Sequence, residues 1–170
     1  MSEPANPSRK RSLARSAARL AAVQALYQMN ATRIGLDEVI AEFGRYRFGQ
    51  NDGLGDRTED EVPAEPDETF FADLLRGVVR DQDEVDSLIG GHLPAGWRLS
   101  RLDSTLLAIL RAGTYELIAR KDVPFKVVIN EYVDITHAFF AGDEASLVNG
   151  ILDRLAHELG RADGQADETG

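Results

Sequence analysis

The sequence predicts an all-α domain of about six or seven helices. Apolar residues recur at three- and four-residue spacing through most of the chain, and strand-type alternation is nearly absent. The periodic stretches break at glycine and proline, at Gly90-Gly91, Pro124 and Gly142, which are helix-terminating signals.

Taken in order, residues 1–8 (MSEPANPS) are rich in proline and serine and read as a disordered tail. From about Ser12 to Met29, Leu13, Leu20, Val23 and Tyr27 recur at helical spacing with alanines between them, which predicts an amphipathic helix. On a wheel of about 100° per residue, Leu13, Leu20 and Tyr27 share one side, while Arg11, Arg15 and Arg19 form a stripe on the other. That pattern assigns the leucines and the tyrosine ring to the core and the arginines to solvent. A second helix covers Leu36–Tyr46, with Leu36, Val39, Ile40 and Phe43 as its buried face. Residues 49–68 combine glycine, proline and acid without periodicity and read as a solvated loop or disordered insertion.

Helical spacing resumes at Phe70, Phe71, Leu74, Leu75 and Val78 and continues through Val85, Leu88 and Ile89 to Gly90-Gly91. After the turn HLPAGW, a helix runs from about Leu102 to Ala119. Pro124 ends the stretch that follows and suits the first turn of the next helix, Phe125–Phe139. The run Val127-Val128-Ile129 has β-type composition, but the longer repeat of Val128, Ile129, Tyr132, Val133 and Ile135 favours helix. A last helix spans about Asp143–Leu159, with Asp143 as its expected N-cap, and an acidic disordered tail covers 161–170. In Asn149-Gly150 the dipeptide signals a turn, yet the flanking Leu147, Ile151 and Leu155 keep helical spacing. Close packing of glycine against another helix reconciles the two.

The chain has 170 residues, enough for one core, and 43% hydrophobic and 28% charged residues, ordinary values for a globular protein. It has no cysteine, which excludes disulfides, thiolate metal sites and cysteine nucleophiles. Neither a membrane-length apolar run nor a signal-peptide stretch is present, so the expected location is the cytoplasm, with no membrane partner. The net charge of −10 conceals an asymmetry. Residues 1–33 hold six basic side chains against the single acid Glu3, a local charge of +5, whereas residues 49–68 hold eight acids against Arg57, a local charge of −7. A basic end of this kind implies an anionic partner even in an acidic protein.

No constellation argues for catalysis, a metal or a cofactor. His92, His137 and His157 lie far apart, and none has a partner at ligand spacing. HELGR, from His157, begins like a zinc-peptidase motif but carries Arg161 where the second histidine belongs, so a helix end capped by Gly160 is the better reading. No phosphate-binding glycine loop follows a strand, and NDGLGD lies among acids that repel phosphate. The arginine stripe remains. Guanidinium forks hold phosphate oxygens at two points and stack on bases, and no acid follows at i+4 to neutralise them. Nucleic-acid binding is the leading reading, with a solvated face, an acidic protein partner and a lipid surface as alternatives.

Four segments carry a resemblance. AAVQALYQ (21–28), LRAGTYEL (110–117), DVPFKVVINEYVDI (122–135) and LVNGILDRLA (147–156), in that order and spacing, resemble the NusB family of bacterial transcription antitermination factors over most of residues 9–160. The resemblance implies two small helical bundles packed together, here an N-terminal half of about 9–90 and a C-terminal half of about 91–160. It implies binding, with the ribosomal protein NusE, to boxA-type single-stranded RNA of ribosomal RNA leaders, and loading onto RNA polymerase to suppress termination, without catalysis.

Carried over residue by residue, Arg15 and Arg19 fall on the family's arginine-rich motif, with Arg9, Lys10 and Arg11 extending it upstream. Tyr27 of QALYQ is within reach of a base if it is not core. Arg111 occupies the arginine of the L-R-x-x-x-Y-E segment, and Phe139, Asp143 and Leu147 fall where the family approaches RNA. Ser16, Ala17 and Ala18 stand where the family usually packs further arginines, and Leu147 replaces a frequent phenylalanine. The rival is a helical protein-interaction adaptor that does not touch RNA, and a homodimer that hides the arginine helix is a further partner reading. A similar domain precedes ribosomal RNA cytosine methyltransferases, but the 170 residues contain no methyl-donor-binding sequence.

Overall fold

A computed structural model describes residues 6–46 and 65–162. Among the described residues there are seven α-helices, one 3-10 turn and no strand, as the periodicity predicts. Tail residues 1–5, positions 49–64 of the acidic insertion, and residues 163–170 lie outside the described residues. The chain divides into two compact units, residues 1–75 and 76–170.

The first unit is built on α1 (Pro7–Thr32) and α2 (Leu36–Tyr46), with the opening turns of α3 (Glu68–Arg80). α1 begins earlier than the composition of its first residues predicts. The Asn6 side chain accepts from Ser8 N–H, and Pro7 occupies the first turn, where its missing N–H costs nothing. Residues 6–8 therefore belong to the helix and its cap rather than to a tail. α1 closes at Arg33, whose left-handed backbone (φ 60°) lets its N–H reach Met29 O at 2.9 Å. Ala18, Ala22, Ala25 and Val23 of α1, Val39 and Phe43 of α2, and Phe70, Phe71, Leu74 and Leu75 of α3 are buried together in the core. Phe43 and Phe71 stack at 5.4 Å between centroids. Asp67 fixes the start of α3 twice, its carboxylate accepting from Phe70 N–H at 3.0 Å and its own N–H donating to Ala14 O of α1.

The second unit holds the end of α3, then α4 (Gln82–Gly91), a 3-10 turn (Leu99–Arg101), α5 (Ser104–Ala119), α6 (Phe125–Phe139) and α7 (Glu144–Glu158). The expected single helix from Phe70 to Ile89 is two, broken at Asp81, whose carboxylate pairs with Arg80 at 2.9 Å. α5 is buried nearly all round, from Leu106 to Leu117, as a helix at the centre of a unit must be. Asp103 caps it by accepting from Thr105 N–H and Leu106 N–H at 2.8 and 3.2 Å. Pro124 stands at the N-cap of α6, and Val127-Val128-Ile129 is helical. Asp143 takes the N-cap position of α7, but its side chain accepts no backbone N–H.

The reading of Gly150 fails: a Cβ there would meet only the Arg154 guanidinium at 3.9 Å, so Gly150 is not a close-packing glycine, whereas at Gly113 a Cβ would stand 3.0 Å from Leu152 Cδ1 and 3.2 Å from Tyr132 Cδ2, and at Gly77 it would overlap the Tyr115 ring. α7 ends as HELGR predicts, with Gly160 in the left-handed region (φ 74°) donating to His157 O. The C-terminal tail, by contrast, does not begin at 161. Arg161 is 8% exposed, and its guanidinium donates to Leu117 O in the last turn of α5 and to Arg120 O and Val123 O in the α5–α6 connection. Burial pulls its pKa below the usual arginine value, and the charges of Glu116 and Asp122 oppose that shift.

Candidate nucleic-acid interface

The two sides of α1 are opposite to each other, as the wheel predicts, but beyond the exposed Arg11 their burial is reversed. Leu13, Leu20 and Tyr27 are 47%, 36% and 46% exposed, whereas Arg19 is 2% exposed and Arg15 half-buried. The buried residues of α1 are Ala18, Arg19, Ala21, Ala22, Val23, Ala25 and Leu26. Phe70 of α3 lies beneath both guanidiniums, 4.8 Å from Arg15 and 5.0 Å from Arg19. A buried arginine is tolerable here because its stem is apolar and its planar head is attracted to the face of an aromatic ring. Hydrophobicity ranks leucine above alanine and arginine for burial, and that ranking misassigned the faces.

Arg9, Lys10 and Arg11 behave as the sequence predicts. They occupy the opening turns of α1, all three are exposed, and no described carboxylate pairs with them. The first turn contains no acid, so this end of α1 presents three cations together with the positive pole of the helix. Tyr27 is not a core residue; its ring stands on the exposed side with Leu13 and Leu20.

The remaining candidates lie in the second unit. Arg111 is not an open fork. It forms a two-point ion pair with Asp86 of α4, Nε to Oδ1 at 2.8 Å and NH2 to Oδ2 at 2.9 Å, both side chains being about one-fifth exposed. Phe139 is 45% exposed at the end of α6, Asp143 is exposed, and Leu147 is half-buried on the second turn of α7. These three surround the α6–α7 turn and join an aromatic face, a carboxylate and an aliphatic side chain.

Two further arrangements lie outside the site residues singled out from the sequence. His92 binds at both ring nitrogens, Nδ1 to Leu88 O at 2.9 Å and Nε2 to Glu158 Oε2 at 2.6 Å, and so ties α4 to the end of α7. Trp97, Arg98 and Arg101 stand exposed on the α4–α5 turn; a tryptophan beside arginines in an acid-free stretch was the signal. Among the described residues no three His, Cys, Asp or Glu side chains gather as a metal site, and no helix is long and apolar enough to cross a membrane.

Comparison with known proteins agrees with this architecture. The model of the NusB family matches residues 16–157. The chain is 54% identical over 144 residues to transcription antitermination protein NusB of Caulobacter vibrioides, covering 85% of this chain and 93% of that one. It is 49% identical over 156 residues to the protein of the same name from Sinorhizobium fredii, covering 92% and 94%. Among solved structures, that of T. maritima NusB aligns with a TM-score of 0.67 and 28% identity over 93% of this chain and 94% of that one.

Proposed function

The chain belongs to the NusB family, and from that premise we propose that it is a cytoplasmic transcription antitermination factor that acts by binding rather than catalysis. With NusE it binds boxA-type single-stranded leader RNA of ribosomal RNA operons and joins the RNA polymerase complex that reads through terminators. The observation that carries the RNA contact is the cluster Arg9, Lys10 and Arg11, three exposed cations unpaired by any described carboxylate in a chain of net charge −10.

Roles within the arginine-rich segment then divide by burial. Arg9, Lys10 and Arg11 meet phosphates, Arg15 reaches out from a half-buried position, and Arg19 anchors α1 on Phe70. Tyr27, exposed on the same helix, is available to stack on a base. At the α6–α7 turn, Phe139 offers a second stacking face, with Asp143 and Leu147 beside it. Arg111, its fork held by Asp86, positions α5 rather than gripping phosphate. Sequence preference comes from unpaired bases, and NusE supplies the additional contacts that make a modest electrostatic affinity sufficient.

Three phosphate contacts on a single strand give a slope of log affinity against log salt near −2, at about −0.7 per contact. Binding of a boxA-type RNA, with and without NusE, at two salt concentrations tests the reading. Replacement of Arg9, Lys10 and Arg11 by alanine should weaken RNA binding and flatten the salt slope while leaving NusE binding intact. Unchanged RNA affinity in that variant would overturn the proposal. The exposed stripe Leu13, Leu20 and Tyr27 favours one rival, a protein-interaction adaptor without RNA binding; under it the wild-type protein binds NusE and ignores the RNA.

A further inference from the structure

The turn between α4 and α5 carries side chains that neither the core nor the α1 cations explain. Residues 92–101, HLPAGWRLSR, contain two arginines and no acid. Trp97, the only tryptophan of the chain, is 53% exposed, although an indole is among the largest apolar surfaces a side chain can bury. Its backbone is fixed. Trp97 N–H donates to Pro94 O at 3.0 Å across a turn in which Gly96 has φ +88°. A Cβ at Gly96 would meet nothing within 4 Å, so that side of the turn is open.

Arg98 follows in extended conformation as the N-cap of the 3-10 turn, and Arg101 N–H donates to Arg98 O at 3.0 Å. That bond closes the turn over Arg98 and Arg101, and Arg98 directly follows the indole in the chain. Both arginines are exposed, and no described carboxylate pairs with either. Carboxylates that neighbour this stretch are engaged: Asp103 caps α5, and Glu158 holds His92. Arg154 of α7 adds a third guanidinium, donating to His92 O at 3.3 Å.

We propose that this turn is a stacking site for an unpaired base of single-stranded RNA, with Trp97 against the base and Arg98 and Arg101 on the flanking phosphates. An acidic peptide would satisfy the guanidiniums but offers the indole no flat partner. A nucleotide strand supplies both, and an aromatic platform beside basic side chains is how proteins hold single strands with little sequence preference. The inference rests on the RNA-binding reading and adds to it a contact outside α1 and outside the α6–α7 turn.

Because Trp97 is the only tryptophan, its emission reports on this site alone. A short single-stranded RNA is titrated twice, once with a terminal label read by anisotropy and once unlabelled with indole emission read directly. Quenching with the midpoint of the anisotropy rise is the expected result, and polyglutamate should leave the emission unchanged. Trp97→Ala should weaken RNA binding by about fivefold to a hundredfold, the range of one lost base–aromatic stack, and Trp97→Phe should recover most of the loss. Alanine at both Arg98 and Arg101 should reduce the salt slope by about 1.4. RNA that binds by anisotropy without altering emission overturns this site while leaving the α1 reading in place. Quenching by polyglutamate as strong as by RNA assigns the turn to an acidic protein instead. Absence of any RNA binding overturns both readings together.

Discussion

Gly77 lies inside α3, where glycine is normally weaker than alanine, and the structure shows why alanine is worse here. A Cβ at residue 77 would stand 1.9 Å from Tyr115 Cζ, 2.1 Å from Cε2 and 2.3 Å from Oη. Non-bonded carbons settle at about 3.5–4.0 Å, so the ring must retreat by roughly 1.5 Å. Tyr115 is 2% exposed, and close-packed surroundings resist that movement. Two effects oppose each other in Gly77→Ala. Helix propensity favours alanine by about 1 kcal/mol, while overpacking of a filled core costs about 1–3 kcal/mol or more. With so short a contact the second dominates, and the expected net loss is about 2 kcal/mol, a melting-temperature drop of about 4–8 °C for a chain of this size. Thermal unfolding followed by circular dichroism measures it. Gly44→Ala and Gly90→Ala serve as controls, since both sites are helical with nothing within 4 Å of the added Cβ, and they should stabilise by up to about 1 kcal/mol. Adding Tyr115→Leu to Gly77→Ala should recover part of the loss. A Gly77→Ala protein that melts at or above the wild type would refute the close approach of α3 to α5.

The arginines of α1 should separate into two classes. Arg19→Ala is expected to cost about 2–4 kcal/mol through lost packing and the lost ring contact, whereas Arg11→Ala should change stability by less than about 0.5 kcal/mol and lower RNA affinity; equal melting temperatures for the two variants would refute the reversed faces. For Asp86 and Arg111, a double-mutant cycle should return a coupling of about 1–2 kcal/mol, above that of an exposed pair because both groups are largely shielded; additive effects would show that the two-point bridge contributes nothing. Asp81, whose pKa is lowered chiefly by its hydrogen bond to Arg80, should stabilise the protein at neutral pH. Because the folded pKa lies below the unfolded one, that contribution is present above about pH 4 and fades as pH falls through the folded value. The melting-temperature difference between wild type and Asp81→Asn should therefore shrink on acidification, and a constant difference from pH 7 to pH 2 would contradict the pair.

Helix existence was legible in the sequence because it depends on local periodicity and on breakers. α2 and α6 fall on their expected residues, Gly160 ends α7, and Pro124 precedes α6. Helix boundaries were less legible: the Asn6 side chain starts α1 six residues before Ser12, and the backbone breaks at Asp81, without a side-chain cap, to divide a continuous apolar repeat into α3 and α4. The exposed basic cluster was equally legible, since charge at the opening of a helix with no acid nearby needs no partner to be recognised.

Sequence alone determined that the chain is helical, that its basic residues gather at one end, and that it resembles one family, because each follows from residue type and spacing. Tertiary structure decided which side of α1 is covered. Leucine and arginine sit opposite each other on a helical wheel, and it is the contact with Phe70 that gives the Arg15 and Arg19 side a partner. The same holds for Arg161, which reads as the start of a polar tail until the last turn of α5 and the α5–α6 connection present carbonyls for it to hold. Burial belongs to a pair of surfaces, and a sequence specifies each surface separately while leaving open which of them meet.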